Sequence, residues 1–598
     1  MDHLSLPIDD FAQSPFEIPF LCNDRFCYDG NGFLTYPARI GLDLDQIIEQ
    51  GLVDPDTLAP ALQAWLWFGL LGEILSIGTR THVSQRVATY KAFISEKPNG
   101  ASVICTSHLR QYINQVGQTN KSLRQDGFYS ERYHASLEMA TAAVKRLSSS
   151  NMCLKQLEAT TRSSQPPVLL RIILSIQVLV ETLYAAKAVL VPGNGDSLFR
   201  SELECSGLEI VRRLLLNSGW CKYEIQRLPS SIRLRYYLSF LRPSDFTEGH
   251  SDHSSCTESA CSQIELDKQR IYPKHATNGC WCAMVTLEDH PISQIVQAGS
   301  VPIVTFAQTD GTTRKLKILE TRLDQKTKTV NFVAISHVRR AGLGNADAHS
   351  LPYCRLALIQ ELANQLHNSL SSVQQPHGMS STPFWLDTLC VPSDSRVHGA
   401  SLGNIRQVFK DASHVLVLDQ TLSSHAIGSS EDALIRIRYS LWKQRLWTLQ
   451  EGFVTSPSRL MFRFANTTVS LLSLIDSFEA TVPFPLISCH QFIGFQVLPF
   501  LHHVLELLND DVRAMTKMPR GLTRGLDKIK LRGILRLGYL TYEHYQYFRE
   551  DWETEQIARI LPLLGDLYLD SAGLPVREGW RSEKQVAADL KRLNDVEI

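Results

Sequence analysis

The sequence has almost no net charge: 60 Lys and Arg stand against 61 Asp and Glu. No global field therefore draws in a polyanion or an acidic membrane surface, and partners have to be sought in local sites. The opening of an exported chain is lacking as well. MDHLSLPIDD has neither the basic start and apolar core of a signal peptide nor the Arg-rich, acid-poor profile of a transit peptide, so a cytoplasmic or nuclear location is the default expectation, cytoplasmic first. Long apolar runs free of charge are also missing. The two nearest to a membrane span are residues 62–77, which contain Glu73, and 168–191, which contain Arg171, Glu181 and Lys187. Buried helices are the expectation for both, with no membrane span. By eye there is no internal repeat of fixed period.

What is present describes an ordinary globular chain, 44% hydrophobic and 20% charged. Its 598 residues are too many for one core, and such lengths split into roughly three to five domains or subdomains. Residues 1–60 are rich in Pro, Asp, Asn and Gly and carry aromatic anchors at Phe16, Phe20, Phe26, Tyr28 and Phe33, the pattern of an extended arm over something larger. Apolar residues then recur at helical spacing, as in Ile172, Ile176, Leu179 and Leu183, so 1–245 reads as a mainly helical region. Residues 246–290 are a Cys/His-rich segment. Residues 291–330 read as a short β connector, with strands at 301–307 and 315–319 joined through Asp310 and Gly311 into a hairpin bridging the two halves.

Thirteen cysteines in a cytosolic chain should be mostly reduced and buried, and only a tight grouping points to metal. The grouping is Cys256, Cys261, His275, Cys280 and Cys282, with His250 and His253 just ahead. Two ligand pairs separated by a loop can close a tetrahedron of thiolates and imidazole around structural Zn2+. Cys256, Cys261, His275 and Cys280 are the candidate ligands and Cys282 the competitor. The spacings are not those of common zinc ribbons, and a polar loop with incidental cysteines is the alternative.

From residue 329 strands and helices alternate: 330–338, then a helix through Leu358, Leu362, Leu366 and Leu370, a strand at 384–391, a helix from 405, a continuous apolar strand at 414–418, a helix at 434–451 and a strand at 459–464. This order predicts a doubly wound parallel sheet of flavodoxin-like type over 331–465, with ligands at the carboxyl ends of its strands. Residues 466–598 read as a mainly helical C-terminal region. Its basic positions Arg520, Arg524, Lys528, Lys530, Arg532 and Arg536 fit a solvated helix face and make no clear nucleic-acid site.

The strand-end rule gathers three blocks. The first holds Ser336, His337, Arg339, Arg340, Gly342, Gly344 and Asn345; its glycines and guanidinium groups suit a pyrophosphate, although it is neither a Walker loop nor a G-x-G-x-x-G fingerprint. The second holds Asp387, Thr388 and Cys390. A Cys390 nucleophile with His337 or His398 is conceivable on paper, but nothing local activates that thiol and a buried structural cysteine is expected. The third is WKQRLWTLQE, 442–451, expected as one helix bearing Arg445, Trp447 and Glu451 and closed by Gly452. Trp447 and Glu451 stand four apart and would share a face, and a Glu at a helix C-terminus opposes the macrodipole.

AISHVRRAGLGN, FWLDTLCVPSD, the span from Arg406 through HVLVLD, and WKQRLWTLQEG resemble, in order and rough spacing, the blocks of the fungal heterokaryon incompatibility (HET) domain over about 331–465. The Cys/His stretch and WLWFGLL at 65–71 are similar to N-terminal parts of long HET-domain proteins. The resemblance implies an intracellular protein of non-self recognition and regulated cell death, working through protein partners or self-assembly. HET domains are in turn similar to TIR domains, in which a Trp followed four residues later by a catalytic Glu serves NAD cleavage. The matching positions are Trp447 and Glu451, with Ser336, Arg339, Arg340, Gly342, Asp387 and Arg445 as the implied surroundings of NAD. Where the family has an aromatic-led motif this chain has Arg339, Arg340 and Ala341. An inert member of the family is the remaining alternative.

Overall fold

The computed structural model describes residues 1, 3–4, 6–7, 15–50, 54–76, 91–119, 127–148, 150, 166–190, 208–229, 231–241, 253, 255–258, 271–277, 279–308, 314–323, 330–345, 347–370, 381–443, 448, 451–452 and 455–481. They fall into two compact units, one built on Met1–Leu266 and the other on Asp267–Ala480.

The first unit is helical, with a small hairpin of β1 (Ile94–Glu96) and β2 (Ser102–Ile104). Both apolar runs are core helices. Helix Pro55–Leu62 carries Pro60 inside it, which removes one main-chain donor, and it continues as a π-helical segment, Gln63–Gly69, and then as helix Leu70–Ser76. The Asp56–Ser76 stretch is apolar enough to cross a membrane, yet its apolar window is buried inside the unit throughout, and helix Val168–Ala185 is mostly buried. Gln63 ties the N-terminal arm to this core, since its Oε1 accepts from the Leu21 N–H (2.7 Å) and its Nε2 donates to the Pro19 carbonyl (2.8 Å). Phe33 stacks on Trp65, whose indole N–H donates to the Phe33 carbonyl. Of the five aromatic anchors Phe16, Phe26, Tyr28 and Phe33 are buried, while Phe20 is half-buried with its ring edge-on to Phe68.

The second unit is a seven-stranded mixed sheet flanked by helices, an α/β arrangement. In chain order its strands are β4 (Val301–Gln308), β5 (Arg314–Thr321), β6 (Val333–His337), β8 (Phe384–Trp385), β9 (His414–Leu418), β10 (Leu460–Arg463) and β11 (Thr468–Ser470); β3 (Met284–Thr286) and β7 (Ser350–Pro352) pair separately. The spatial order is β11-β10-β9-β6-β8-β4-β5. Strands β8, β6, β9 and β10 are parallel, and β4, β5 and β11 are added antiparallel at the edges. Numbered along the chain, the parallel strands lie 2-1-3-4, so the winding reverses between β6 and β9, where such sheets hold their ligands.

Several boundaries differ from the sequence reading. The 301–319 hairpin forms, but it extends the sheet through the β4–β8 pairing. Strand β8 stops at Trp385 and Asp387–Cys390 is a helical turn, because the Asp387 carboxylate takes the Thr388 N–H (2.6 Å) that a ladder would have used. The helix expected at 434–451 is interrupted: Ser430–Tyr439 ends where Ser440 turns extended and the Trp442 N–H goes to Asp419 Oδ2 (3.0 Å), and Thr448, Glu451 and Gly452 are helical again, so Gly452 does not close the helix as expected. Residues 444–447 and 449–450, hence Arg445 and Trp447, lie outside the described residues, as do Cys261, the Asp310–Gly311 turn and the basic positions from Arg520 to Arg536. Of the C-terminal region, helix Leu471–Thr481 is described.

Candidate functional site

Strand β6 is fully buried and ends in Ser336 and His337, whose side chains point to opposite faces as successive strand residues must. Ser336 is the hub on one side. The Trp442 indole N–H donates to its Oγ (2.6 Å), and that hydroxyl donates to Glu451 Oε2 (2.5 Å). Indole, hydroxyl and carboxylate form a relay fixing Glu451 over the β6 end. Asp419, which follows β9, holds the other end of this assembly: it caps helix Gln420–Ser424 through the Thr421 and Leu422 N–H groups and takes the Trp442 N–H. Gly452 is required by close approach, since a Cβ there would lie 2.8 Å from the Trp442 ring.

His337 anchors the other side. Its Nε2 lies 2.7 Å from Asp387 Oδ1, and Arg339 Nε donates to Asp387 Oδ2 at 2.7 Å. Burial works to raise the Asp387 pKa, but the His337 charge and hydrogen bond, joined by those of Arg339, outweigh it and hold the carboxyl well below the ordinary range. His337 Nδ1 is buried and has no hydrogen-bond partner among the described residues.

The glycines of the first block have a structural reason. Gly342 adopts φ 94°, and a Cβ there would meet Lys274 Cβ at 2.7 Å; a Cβ on Gly344 would meet Arg339 O and Ile271 Cγ2, each at 2.7 Å. The close approach they permit is to residues 271–274, with Lys274 N–H donating to Gly342 O (2.9 Å). Arg340 lies in the 3-10 turn Arg339–Ala341, and its side chain is outside the described set. Cys390 is buried and its thiol is pushed up to about 12, chiefly by burial, as expected of a structural cysteine.

A second Asp–His pair carries no local signal in the chain. His349 Nε2 lies 2.7 Å from Asp289 Oδ1 and 3.1 Å from Ser393 Oγ, while Nδ1 faces the Thr388 carbonyl at 3.1 Å. A nucleophilic triad needs serine and carboxylate on opposite ring nitrogens. Here both sit at Nε2, so the group is a brace between chain segments.

The Cys/His residues gather in two places. His275, Cys280, Cys282 and Cys354 bring one Nδ1 and three sulfurs within 4.8 Å of one another, a cluster that could hold a metal ion. Cys282 Sγ lies 3.3 Å from His275 Nδ1, and main-chain N–H groups point at sulfur, Ala276 at Cys354 (3.2 Å) and Cys354 at Cys282 (3.3 Å). Burial opposes ionisation of Cys282, but hydrogen bonds from Cys354, Cys280 and His275 prevail and lower its thiol to about 7. Burial, together with the neighbouring Cys282, raises that of Cys354. Cys256 groups instead with Cys221 and His253 in the helical unit. The ligand set read from sequence is therefore divided: His275 and Cys280 stay together, Cys282 and Cys354 join them, and Cys256 has other neighbours. Spacing could not reveal Cys354, which lies 72 residues beyond Cys282.

The first cluster is tied to the strand-end loop, because Lys274, next to His275, bonds Gly342 O and its own carbonyl takes Arg355 Nε (3.0 Å). No family model matches the chain, and neither a characterised protein nor a solved structure matches it.

Proposed function

We propose that residues 331–465 act as a HET-type signalling domain in non-self recognition and regulated cell death, and that the strand-end cluster is its ligand site. The observation that carries the reading is the meeting of three blocks at the β6 end, where Ser336 joins Trp442 to Glu451 on one face and His337 joins Asp387 and Arg339 on the other. It lies where the winding reverses, the position at which doubly wound sheets bind nucleotides.

The ligand class that suits it is a dinucleotide sugar of the NAD type. A carboxylate positioned by a hydroxyl can bind ribose hydroxyls and stabilise an oxocarbenium-like state as an N-glycosidic bond breaks. Glu451 is the residue assigned that role, with Trp447 as its implied stacking partner. The metal assigned to His275, Cys280, Cys282 and Cys354 is zinc in a structural role, since three thiolates and an imidazole suit a closed tetrahedral zinc site. It would hold the loop that carries Arg339.

One observation favours a second reading, in which the domain works by assembly with protein partners and turns over nothing. Arg339 is already engaged with Asp387, so its use for a pyrophosphate would have to break that pair. The assay is nicotinamide release from NAD by the full chain, in dilute and self-associated form, with Glu451→Gln alongside. The catalytic reading expects release that falls about a hundredfold or more in the variant while its circular dichroism is unchanged. No release in either form of the wild type overturns it, and cell killing undiminished by Glu451→Gln would then establish the assembly reading.

A further inference from the structure

We propose that the helical unit carries a second metal centre, made by Cys221, His253 and Cys256, independent of the cluster in the α/β unit. The three ligand atoms lie within 4.8 Å of one another. Both cysteines are almost fully buried, at 1% and 2% exposure, while the histidine is half-buried. This gradient fits an ion whose thiolate side faces the core and whose imidazole side faces outward.

The local chain conformation aims these side chains at one point. The Cys256 N–H donates to the His253 carbonyl at 3.0 Å, closing a tight H-x-x-C turn that brings His253 Nδ1 within 3.4 Å of Cys256 Sγ. Ligand pairs separated by two residues on such a turn are a recurrent half of structural zinc sites. The other half comes from Cys221, at the N-cap of helix Lys222–Arg227. Glu224 fixes it there by accepting the Cys221 N–H (3.3 Å). A further tie holds the turn in place: Glu258 pairs with Arg212 of helix Leu208–Asn217 at 3.1 Å. The segment around His253 is thus held to two helices at once, by the cluster and by this ion pair.

Two thiolates and one imidazole select a borderline-soft ion, and Zn2+ is the commonest that accepts this set. Among the described residues this centre draws on three protein ligands, one fewer than the set of His275, Cys280, Cys282 and Cys354, and fewer protein ligands hold an ion less firmly. The two centres should therefore differ in how easily they give up their ion, the three-ligand one releasing it first.

Metal stoichiometry of the full chain tests this, together with thiol mapping by alkylation and mass spectrometry. About two zinc ions per wild-type chain are expected, with His253→Ala and Cys256→Ser each losing about one and Cys282→Ser losing the other. In unmutated protein, limited chelation should expose Cys221 and Cys256 to alkylation before Cys280, Cys282 and Cys354, and added zinc should protect them again. That arm does not depend on any variant folding. The proposal is overturned if Cys256→Ser keeps the wild-type zinc content, or if zinc leaves the protection of Cys221 and Cys256 unchanged. It is equally overturned if these two resist alkylation until a reductant is added, which marks a disulfide. Loss of zinc in Cys282→Ser alone would leave the α/β cluster standing and remove this one.

Discussion

The two units dispose of their buried charge in different ways. In the helical unit charged side chains join helices or satisfy main-chain groups. Glu73 is buried on helix Leu70–Ser76 and pairs with Arg132 of helix Gly127–Ser148, Glu181 accepts the Arg233 N–H at the start of helix Ile232–Leu238, and Arg235 donates to the Leu228 and Pro229 carbonyls. The α/β unit has one such staple too, the buried Asp432–Arg436 pair of helix Ser430–Tyr439, but its Asp387, His337, Asp419 and Glu451 stand at or beyond the carboxyl ends of parallel strands or on the segment folded over them. A charge that only staples helices affects stability when removed. A charge at a strand end can be lost with modest effect on the fold while the site loses its chemistry, and this separates a framework from a functional surface.

The sharpest way to break that contrast is Arg132→Ala. It leaves Glu73, at 1% exposure, without its cation; Arg132 is itself a third exposed, so the cost lies between an exposed pair and a fully buried one, about 2–4 kcal/mol. Urea unfolding followed by circular dichroism should show that loss. A change below about 1 kcal/mol, as for an exposed pair, would put Glu73 in the same class as the strand-end groups. Next in size is Trp442→Phe, which keeps the packing against Phe462 but takes the indole donor from Ser336. A buried hydroxyl short of a partner costs about 1–3 kcal/mol. The contrast predicts that ligand binding or NAD turnover falls further than stability does. Equal stability and full activity in the variant would show that the relay to Glu451 has no functional part.

Much of this contrast could be anticipated from residues, and the limits have physical causes. Strand β9 was legible to the residue, because a continuous apolar run from His414 to Leu418 ends at Asp419, which caps the next helix. The α/β order and the clustering of Ser336, Asp387 and Glu451 at one end followed from the same alternation. What failed were features decided by distant partners. A single helix from Leu434 through Glu451 satisfies the local pattern, yet Asp419, 23 residues earlier, takes the main-chain donor at Trp442 and that helix ends at Tyr439, while Thr448, Glu451 and Gly452 are again helical. Asp387 looks like a strand residue until its carboxylate captures the next N–H. Spacing within 246–290 suggested one metal site, whereas Cys221 and Cys354 enter from outside that segment and belong to different units.

The smallest expected effect, and the one that sharpens the contrast most, concerns Arg339 and pH. Arg339 is 44% exposed, so Arg339→Ala should cost less than about 1 kcal/mol, as exposed ion pairs do, and far less than Arg132→Ala. Its signature should lie in the acid limb. Asp387 has a folded-state pKa held below its unfolded value of about 3.9, so the stability it confers is present in full above that pH. As pH falls below about 4 through the folded value, protons bind first to the unfolded chain and that stability drains away. Removing Arg339 takes away one of the influences that depress the pKa, so Arg339→Ala should be flatter than wild type between about pH 4 and 2, and Asp387→Asn flatter still. Urea midpoints across that range, with His337 left in place, measure the difference. A wild-type slope unchanged in both variants would mean that the strand-end pair is no more than a surface contact.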